Sequence, residues 1–131
     1  MAAHIMIIDD DEETVRELRP ALVEEGFRIE HSVTGLNAIR RVLLEQPDVV
    51  ILGLKDAEED WQFCRRLLTF LDASLLLLLD TDNELELVQG LELGAGDCMR
   101  KPVLTLALVA RVRALLRRST SRPSWRERSY F

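Results

Sequence analysis

The 131-residue sequence has no hydrophobic run long enough to cross a bilayer and no N-terminal secretory signal. Its longest apolar run, Leu75 to Leu79, is far shorter than the roughly 20 residues that a transmembrane helix needs. An acidic run begins at Asp9, where a secretory signal would continue its apolar segment. The length suits one domain with one core. We therefore expect a cytoplasmic globular domain that makes no contact with a membrane.

Cysteine is scarce, and neither Cys64 nor Cys98 has a spacing typical of metal ligands. Buried, reduced thiols in an intracellular protein explain them most simply. No glycine-rich phosphate loop or cofactor motif is present either, so no cofactor is expected from the sequence motifs.

Basic residues are scarce in most of the chain and concentrated at its end. Residues 1–110 hold 10 Lys/Arg against 22 Asp/Glu, a net charge of −12, whereas residues 111–131 carry +6. The acidic body argues against direct nucleic-acid binding by the domain itself. The terminal arginines either complement a helix dipole or contact a phosphate backbone. We predict a domain over 1–118 and a basic linker or tail over 119–131.

Apolar runs of strand length alternate with segments of helical period, which predicts a parallel sheet covered on both faces. The predicted strands are 5–8, 27–32, 48–52, 75–79 and 97–100. The predicted helices are 12–25, 36–45, 61–71, 84–93 and 104–118. Their order predicts an α/β fold, a flavodoxin-like doubly wound (βα)5 three-layer sandwich with strand order 2-1-3-4-5. The helical spacing also predicts inward positions, among them Val23 in the first helix, Leu36, Ile39, Val42 and Leu43 in the second, and Leu104 in the fifth.

Ligands of such sheets bind at the carboxyl ends of the strands. Five residues fall at those predicted ends: Asp9, Asp10, Gly53, Asp80 and Lys101. The buried strand that starts after Pro47 is followed by Gly53, so this strand end has no acidic side chain.

Segments in the same order resemble those of bacterial response-regulator receiver domains, over about residues 4–118. They are the acidic run 7–12, the central strand 47–54 with 64–67 after it, the segment 90–102 that ends in Lys101 and Pro102, and the helix 109–118. The last segment resembles helix 5 of OmpR/PhoB-type transcription factors in particular.

The resemblance implies roles for particular positions. In the family an acid pair holds Mg²⁺, a strand 3 aspartate accepts a phosphoryl group, and a Thr or Ser, a lysine and an aromatic residue respond to it. Asp9 and Asp10 match the acid pair and Lys101 matches the lysine. The phosphoacceptor, hydroxyl and aromatic positions hold Gly53, Leu79 and Cys98 instead. The resemblance thus implies a receiver that is not phosphorylated and is not an enzyme.

Two interpretations of the acidic pocket stay open at this point. Asp9 and Asp10 could bind Mg²⁺ weakly together with the backbone carbonyl of Lys55. Alternatively, Lys101 replaces the metal as a permanent counter-ion.

Three further alternatives concern the missing acceptor. Asp80 or Asp56 could substitute for it, although Asp56 lies three residues into a loop, where in-line geometry is lost. A pocket at Gly53, walled by Leu79 and Cys98, could instead sense a small ligand.

The resemblance also implies a two-fold dimer formed by helix 4, strand 5 and helix 5. Leu87 and Ala107 together replace a base–acid pair of the family, which leaves no orphan charge and makes the surface more apolar. The alternative is that Leu87 is an ordinary exposed leucine. The predicted dimer face comprises Leu87, Val88, Leu91, Asp97, Ala107, Val109 and Arg111.

These inferences predict a phosphorylation-independent receiver domain of an OmpR/PhoB-type two-component transcriptional regulator that acts as a homodimer. A C-terminal DNA-binding domain would belong to a longer parent chain, and the identity of a sensor kinase stays open.

Overall fold

The computed structural model describes residues 2–55 and 57–121, with side chains described as far as Arg118. Its strands are β1 (His4–Ile8), β2 (Arg28–Ser32), β3 (Val49–Leu54), β4 (Ser74–Leu79) and β5 (Asp97–Arg100). Its helices are α1 (Glu12–Glu24), α2 (Leu36–Glu45), α3 (Glu58–Phe70), α4 (Glu84–Leu93) and α5 (Thr105–Ser121). All strand pairs are parallel, in the order β2-β1-β3-β4-β5. The predicted fold is confirmed.

The core lies on both faces of the sheet. Because side chains alternate along a strand, Ile5 and Ile7 face α1 and α5, whereas Met6 and Ile8 face α2 and α3. Every residue of β1 and β3 is buried, which explains why these strands read as continuous apolar runs. Removing both faces from water is the main source of stability for such a sheet.

Short polar side chains define where two helices begin. The Asp11 carboxylate accepts a hydrogen bond from the Glu13 N–H and caps α1. Asn83 caps α4 in the same way, through the Leu85 N–H. Each cap satisfies a backbone donor that has no partner inside its helix.

Several predicted inward positions are wrong. Val23, Leu36, Leu43 and Leu104 are all at least 48% exposed. In α2 the predicted Ile39 and Val42 are buried, together with Ala38, which was not predicted. The helical period was right, but the buried stripe is centred on Ala38, Ile39 and Val42 and leaves Leu36 and Leu43 outside it.

Three element boundaries differ from prediction by two residues or more. β3 extends through Gly53 and Leu54, which pair with Leu78 and Leu79 of β4. Gly53 therefore lies inside the strand. α3 begins at Glu58 and buries Trp61 on the sheet, and α5 continues to Ser121. Within the described part of the chain, no helix has the length and apolarity needed to cross a membrane.

Candidate functional site

The carboxyl edge of the sheet holds a buried ion pair between Asp9 and Lys101. Asp9 follows β1 directly and is only 3% exposed. The Lys101 ammonium lies 2.9 Å from Asp9 Oδ2, and the Asp11 N–H donates to Asp9 Oδ1 over 2.9 Å. Lys101 is held in place because its own N–H donates to the Leu79 carbonyl at the end of β4. Asp9 thus has a partner for each carboxylate oxygen, as a buried charge requires.

The Asp9 carboxylate fills the space that a side chain at position 53 would need. A Cβ atom built on Gly53 would lie 1.9 Å from Asp9 Oδ2 and 2.4 Å from its Cγ. Both distances are far below van der Waals contact, so any side chain at this position must displace Asp9. The Asp9 carboxylate can therefore take its inward position because residue 53 of β3 has no side chain.

Asp10 does not join this pocket. Its Oδ1 accepts the Thr34 N–H and its Oδ2 accepts the Thr34 hydroxyl, both at 2.7 Å. Asp10 therefore fixes the loop after β2, while its neighbour Asp9 is buried. Adjacent residues in the sequence thus serve different elements.

The predicted Mg²⁺ ligands do not fit a metal ion in this geometry. Both oxygens of Asp9 and both oxygens of Asp10 already accept hydrogen bonds. The Lys55 carbonyl accepts the Ala57 N–H. A cation at Asp9 would also meet the Lys101 ammonium and be repelled by it. The geometry corresponds to the second interpretation, in which Lys101 is the counter-ion.

A third acid, Asp11, lies beside the pair, and the sequence analysis assigned it no role. Its Oδ2 is 3.9 Å from the Lys101 ammonium. The pKa of Asp11 lies below its ordinary value, chiefly because the Thr14 hydroxyl donates a hydrogen bond to it. Asp11 thus caps α1 and adds negative charge beside Lys101. The capping pattern of an aspartate before Glu12 and Glu13 was the signal that could have revealed it.

Leu79 lies in the core and Cys98 packs against it; these are the two positions that the resemblance relates to a phosphoryl response. Leu79 is 2% exposed, and Cys98 packs against the same cluster that contains Trp61 and Cys64. Burial raises the pKa of the Cys98 thiol to about 12 and that of Cys64 to about 11. The open ligand pocket predicted at Gly53 is not open, because the Asp9 carboxylate fills it.

Of the two alternative phosphoacceptors, Asp80 and Asp56, only Asp80 is among the described residues. Asp80 is exposed, and its backbone N–H donates to the Leu54 carbonyl. Its side chain lines a shallow cleft together with Asp11, Lys101 and Pro102, and the Lys101–Pro102 peptide bond is cis. Asp56 lies outside the described residues.

The predicted dimer face divides into exposed and buried members. Val88 and Leu91 of α4 are about half exposed. Val109 is 6% exposed and belongs to the core on the face of the sheet that α1 and α5 cover. Leu87 is partly buried against the core on the other face of the sheet, which α2 and α3 cover, and Ala107 is half-buried.

Charge and further leucines complete this surface. The Arg111 guanidinium binds both oxygens of Asp97, at 2.9 and 3.0 Å, within one chain. Leu85 and Leu106 are 73% and 77% exposed, and neither belonged to the predicted dimer face. For Leu85, the spacing of three residues from Val88 on the same helix was the available signal.

Several solved structures that superpose on this chain are receiver domains. A CheY-like response regulator receiver domain protein from Methanospirillum hungatei superposes with a TM-score of 0.82 at 18% identity, covering 92% of this chain and 98% of its own. A two-component response regulator from Clostridium difficile gives 0.80 at 25% identity, covering 88% and 97%. The BeF3-activated N-terminal receiver domain of Klebsiella pneumoniae RstA gives 0.74 at 25% identity, covering 88% and 98%.

No protein-family model matches the chain. The structural neighbours nevertheless agree in class, and residues 4–118 have the fold of response-regulator receiver domains.

Proposed function

We propose that this chain is a phosphorylation-independent receiver domain that acts through protein contacts rather than through a phosphoryl switch. The observation that carries the proposal is the position of Asp9. Its carboxylate lies where the side chain of residue 53 would be, and Lys101 neutralises it. A phosphoryl group would need both an acceptor carboxylate and the space that Asp9 occupies.

The Asp9–Lys101 pair supports a pocket that is closed without any ligand. Burying two charges costs roughly several kcal/mol of folding free energy unless they are paired and hydrogen-bonded. Here Asp9 gains the ammonium and a backbone N–H, so neither charge requires an external ion. The domain therefore keeps one conformation at this edge, and its activity depends on assembly or on the concentration of a partner.

The RstA receiver domain provides the contrast for the first experiment, because it is described as BeF3-activated. The chain is incubated with Mg²⁺ and a small-molecule phosphodonor, and its intact mass is measured. The proposal predicts no phosphoryl adduct. A parallel titration with Mg²⁺ and BeF3⁻, followed by amide NMR spectra, should leave the resonances of Asp9, Gly53 and Lys101 unchanged.

An adduct would contradict the proposal, and one variant then identifies its origin. Asp80 is exposed beside Lys101, so it is the described acid that could accept a phosphoryl group. An adduct that disappears in Asp80→Asn would support the alternative of a switch with a displaced acceptor. An adduct that persists in Asp80→Asn directs the search to Asp56.

We further propose that two copies associate through the surface formed by α4, β5 and α5. Leu85, Val88 and Leu91 follow one another at helical spacing and are at least 48% exposed. Leu104, just before α5, and Leu106 within it are also at least 67% exposed. The Asp97–Arg111 pair between β5 and α5 supplies both signs of charge, which a two-fold interface can exchange between copies. Exposed apolar side chains together with charged groups are typical of an interface.

The dimer is tested with Val88→Asp, because Val88 is half exposed and not part of the core. Light scattering should report a dimer for the wild type and a monomer for the variant, with unchanged circular dichroism. Leu44→Asp on α2 is the matched control, since Leu44 is 81% exposed on a different helix. A wild type that is monomeric at micromolar concentration, or a variant that remains dimeric, contradicts this interface. Leu87→Asp is less informative because Leu87 also contacts the core.

In the cell, we propose a cytoplasmic setting and a longer OmpR/PhoB-type parent protein. The helix α5 would then lead into a linker and a C-terminal DNA-binding domain, and dimerisation would pair two such domains on DNA. The net negative charge of residues 1–110 supports a role for the receiver in pairing rather than in DNA contact. In this arrangement, activation would not require phosphorylation by a sensor kinase.

A further inference from the structure

A second polar cluster lies far from the Asp9–Lys101 pair, where β1, β2 and α2 meet. His4 pairs in register with Arg28, and Met6 pairs with Glu30. Because residues two apart share a face, His4, Arg28 and Glu30 lie on the side of the sheet that α2 covers. Arg41 and Glu45, one helical turn apart on α2, complete the group. These residues, His4, Arg28, Glu30, Arg41 and Glu45, are called the edge cluster.

Arg41 organises the two glutamates of the edge cluster. Its Nε lies 2.8 Å from Glu45 Oε2 and its Nη2 lies 2.5 Å from Glu30 Oε2. Its Nη1 donates to the His31 carbonyl. The two carboxylates are thus fixed beside each other, and each contacts Arg41 through Oε2.

His4 is the unusual member of the edge cluster. The residue is 6% exposed, and its Nε2 is buried without a hydrogen-bond partner among the described residues. A ring nitrogen of His4 and one carboxylate oxygen from each of Glu30 and Glu45 lie within 4.8 Å of one another. A buried polar atom normally has a partner, and one without it beside two carboxylates is a feature of a ligand site.

We propose that His4, Glu30 and Glu45 bind a divalent transition-metal ion such as Zn²⁺. One imidazole and two carboxylates with a water molecule form a four-coordinate donor set that suits Zn²⁺. The ligand atoms around Zn²⁺ would be about 3.4 Å apart, so each side chain needs to move by only about 1 Å. Arg41 then holds the outer oxygens of both carboxylates, as groups around metal ligands commonly do. Mg²⁺, which prefers oxygen ligands and retains its water, fits this set poorly.

Arg28 opposes the metal ion, whichever ring nitrogen is the ligand. Its Nη2 lies 3.0 Å from His4 Nδ1, and a guanidinium can only donate there. If Nδ1 is the ligand, the ion must replace Arg28. If Nε2 is the ligand, the ring proton must move to Nδ1, which then cannot accept from Arg28. Arg28 is exposed and can turn into solvent, so it lowers the affinity without blocking the site.

The test is calorimetric titration of the tag-free chain with Zn²⁺, without other metals. The wild type should bind one ion per chain. His4→Gln and Glu45→Gln should each weaken binding by at least about tenfold. Arg28→Gln should strengthen it severalfold, since glutamine can accept from Nδ1 and carries no charge. A merely structural role for the edge cluster would not produce this opposite effect.

Two controls separate this site from other ligands in the chain. His31→Gln should leave the affinity unchanged, because the His31 ring contacts the Asp9 carbonyl and not the edge cluster. The cysteines should not compete, since Cys64 is fully buried in the core and Cys98 packs against the same cluster. Circular dichroism confirms folding, and Glu45→Gln, at a partly exposed position, keeps the test valid if His4→Gln unfolds. Absence of Zn²⁺ binding by the wild type, or wild-type affinity in Glu45→Gln or in a folded His4→Gln, overturns the proposal.

Discussion

The Asp9–Lys101 pair and the edge cluster show two ways in which one small sheet handles charge. The Asp9 and Lys101 side chains are only 4% and 13% exposed, and they form a closed pair. In the edge cluster, Arg41, Glu30 and Glu45 are 26–34% exposed, and several charges share contacts. In the first site both oxygens of the Asp9 carboxylate have partners. In the second, the His4 Nε2 has no hydrogen-bond partner among the described residues.

This difference has an energetic consequence. Removing one member of a buried pair leaves an uncompensated charge, and the loss is large. Removing one member of a partly exposed network allows water to replace it, and the loss is small. The two sites should therefore respond very differently to equivalent substitutions, which makes the comparison testable.

Lys101→Met should have the largest effect. It leaves the Asp9 carboxylate buried without its ammonium, so the free energy of unfolding should fall by about 3 kcal/mol. Urea denaturation measures the change. Adding Asp9→Asn to Lys101→Met should recover much of the loss, because an uncharged amide replaces the unpaired carboxylate. Equal stabilities of the single and double variants would mean that the buried pair does not control this edge.

Gly53→Ala should have the next largest effect. Its Cβ would lie 1.9 Å from Asp9 Oδ2, so Asp9 must leave Lys101 or the strand must shift. We expect a loss of about 1–3 kcal/mol in urea denaturation. In a double-mutant cycle with Asp9→Ala, most of this cost should disappear, because the clashing carboxylate is gone. Additive effects of the two substitutions would show that position 53 is restricted by something other than Asp9.

The same clash predicts the outcome of placing an aspartate at position 53. Gly53→Asp adds a second carboxylate where Asp9 already lies, so it should not by itself create a phosphoacceptor. Intact mass after incubation with Mg²⁺ and a phosphodonor checks this expectation. An adduct confined to Gly53→Asp would mean that Asp9 can leave its place readily.

The order of strands and helices could be predicted from sequence because it depends on local patterns. Alternating apolar runs and helical periods extend over whole elements, so single errors do not change the fold. The direction of a helix face is a weaker signal, since it depends on packing against residues distant in the chain. Leu36 and Leu43 were misplaced for this reason, whereas small Ala38 is buried.

The sites were less predictable than the fold. The sequence identified Asp9, Asp10 and Lys101 as neighbours at one edge, but not that Asp10 would bind Thr34 while Asp9 filled the space beside Gly53. That choice depends on side-chain directions at the end of β1. The edge cluster was missed entirely, because His4 and Glu45 come together only through strand register and helix docking.

The smallest expected effect concerns Glu45 and the dependence of stability on pH. The pKa of Glu45 in the folded chain lies below its ordinary value of 4.5, first through the hydrogen bond from Arg41. A lowered pKa stabilises the folded state above the unfolded pKa, and this contribution is lost as pH falls through the folded pKa. Glu45→Gln should therefore cost about 0.5 kcal/mol at neutral pH.

This cost should vanish in acid, because protonation then removes the charge of Glu45 in the wild type as well. Urea denaturation of both proteins at neutral pH and at a pH below the folded pKa of Glu45, which itself lies under 4.5, measures the difference. Glu30 and His4 also face Glu45, so Glu30→Gln serves as the matched variant for the charge of the neighbouring carboxylate. A pH-independent difference between Glu45→Gln and the wild type would mean that shape, and not charge, determines the contribution of Glu45. The edge cluster would then resemble the closed Asp9–Lys101 pair more than its exposure indicates.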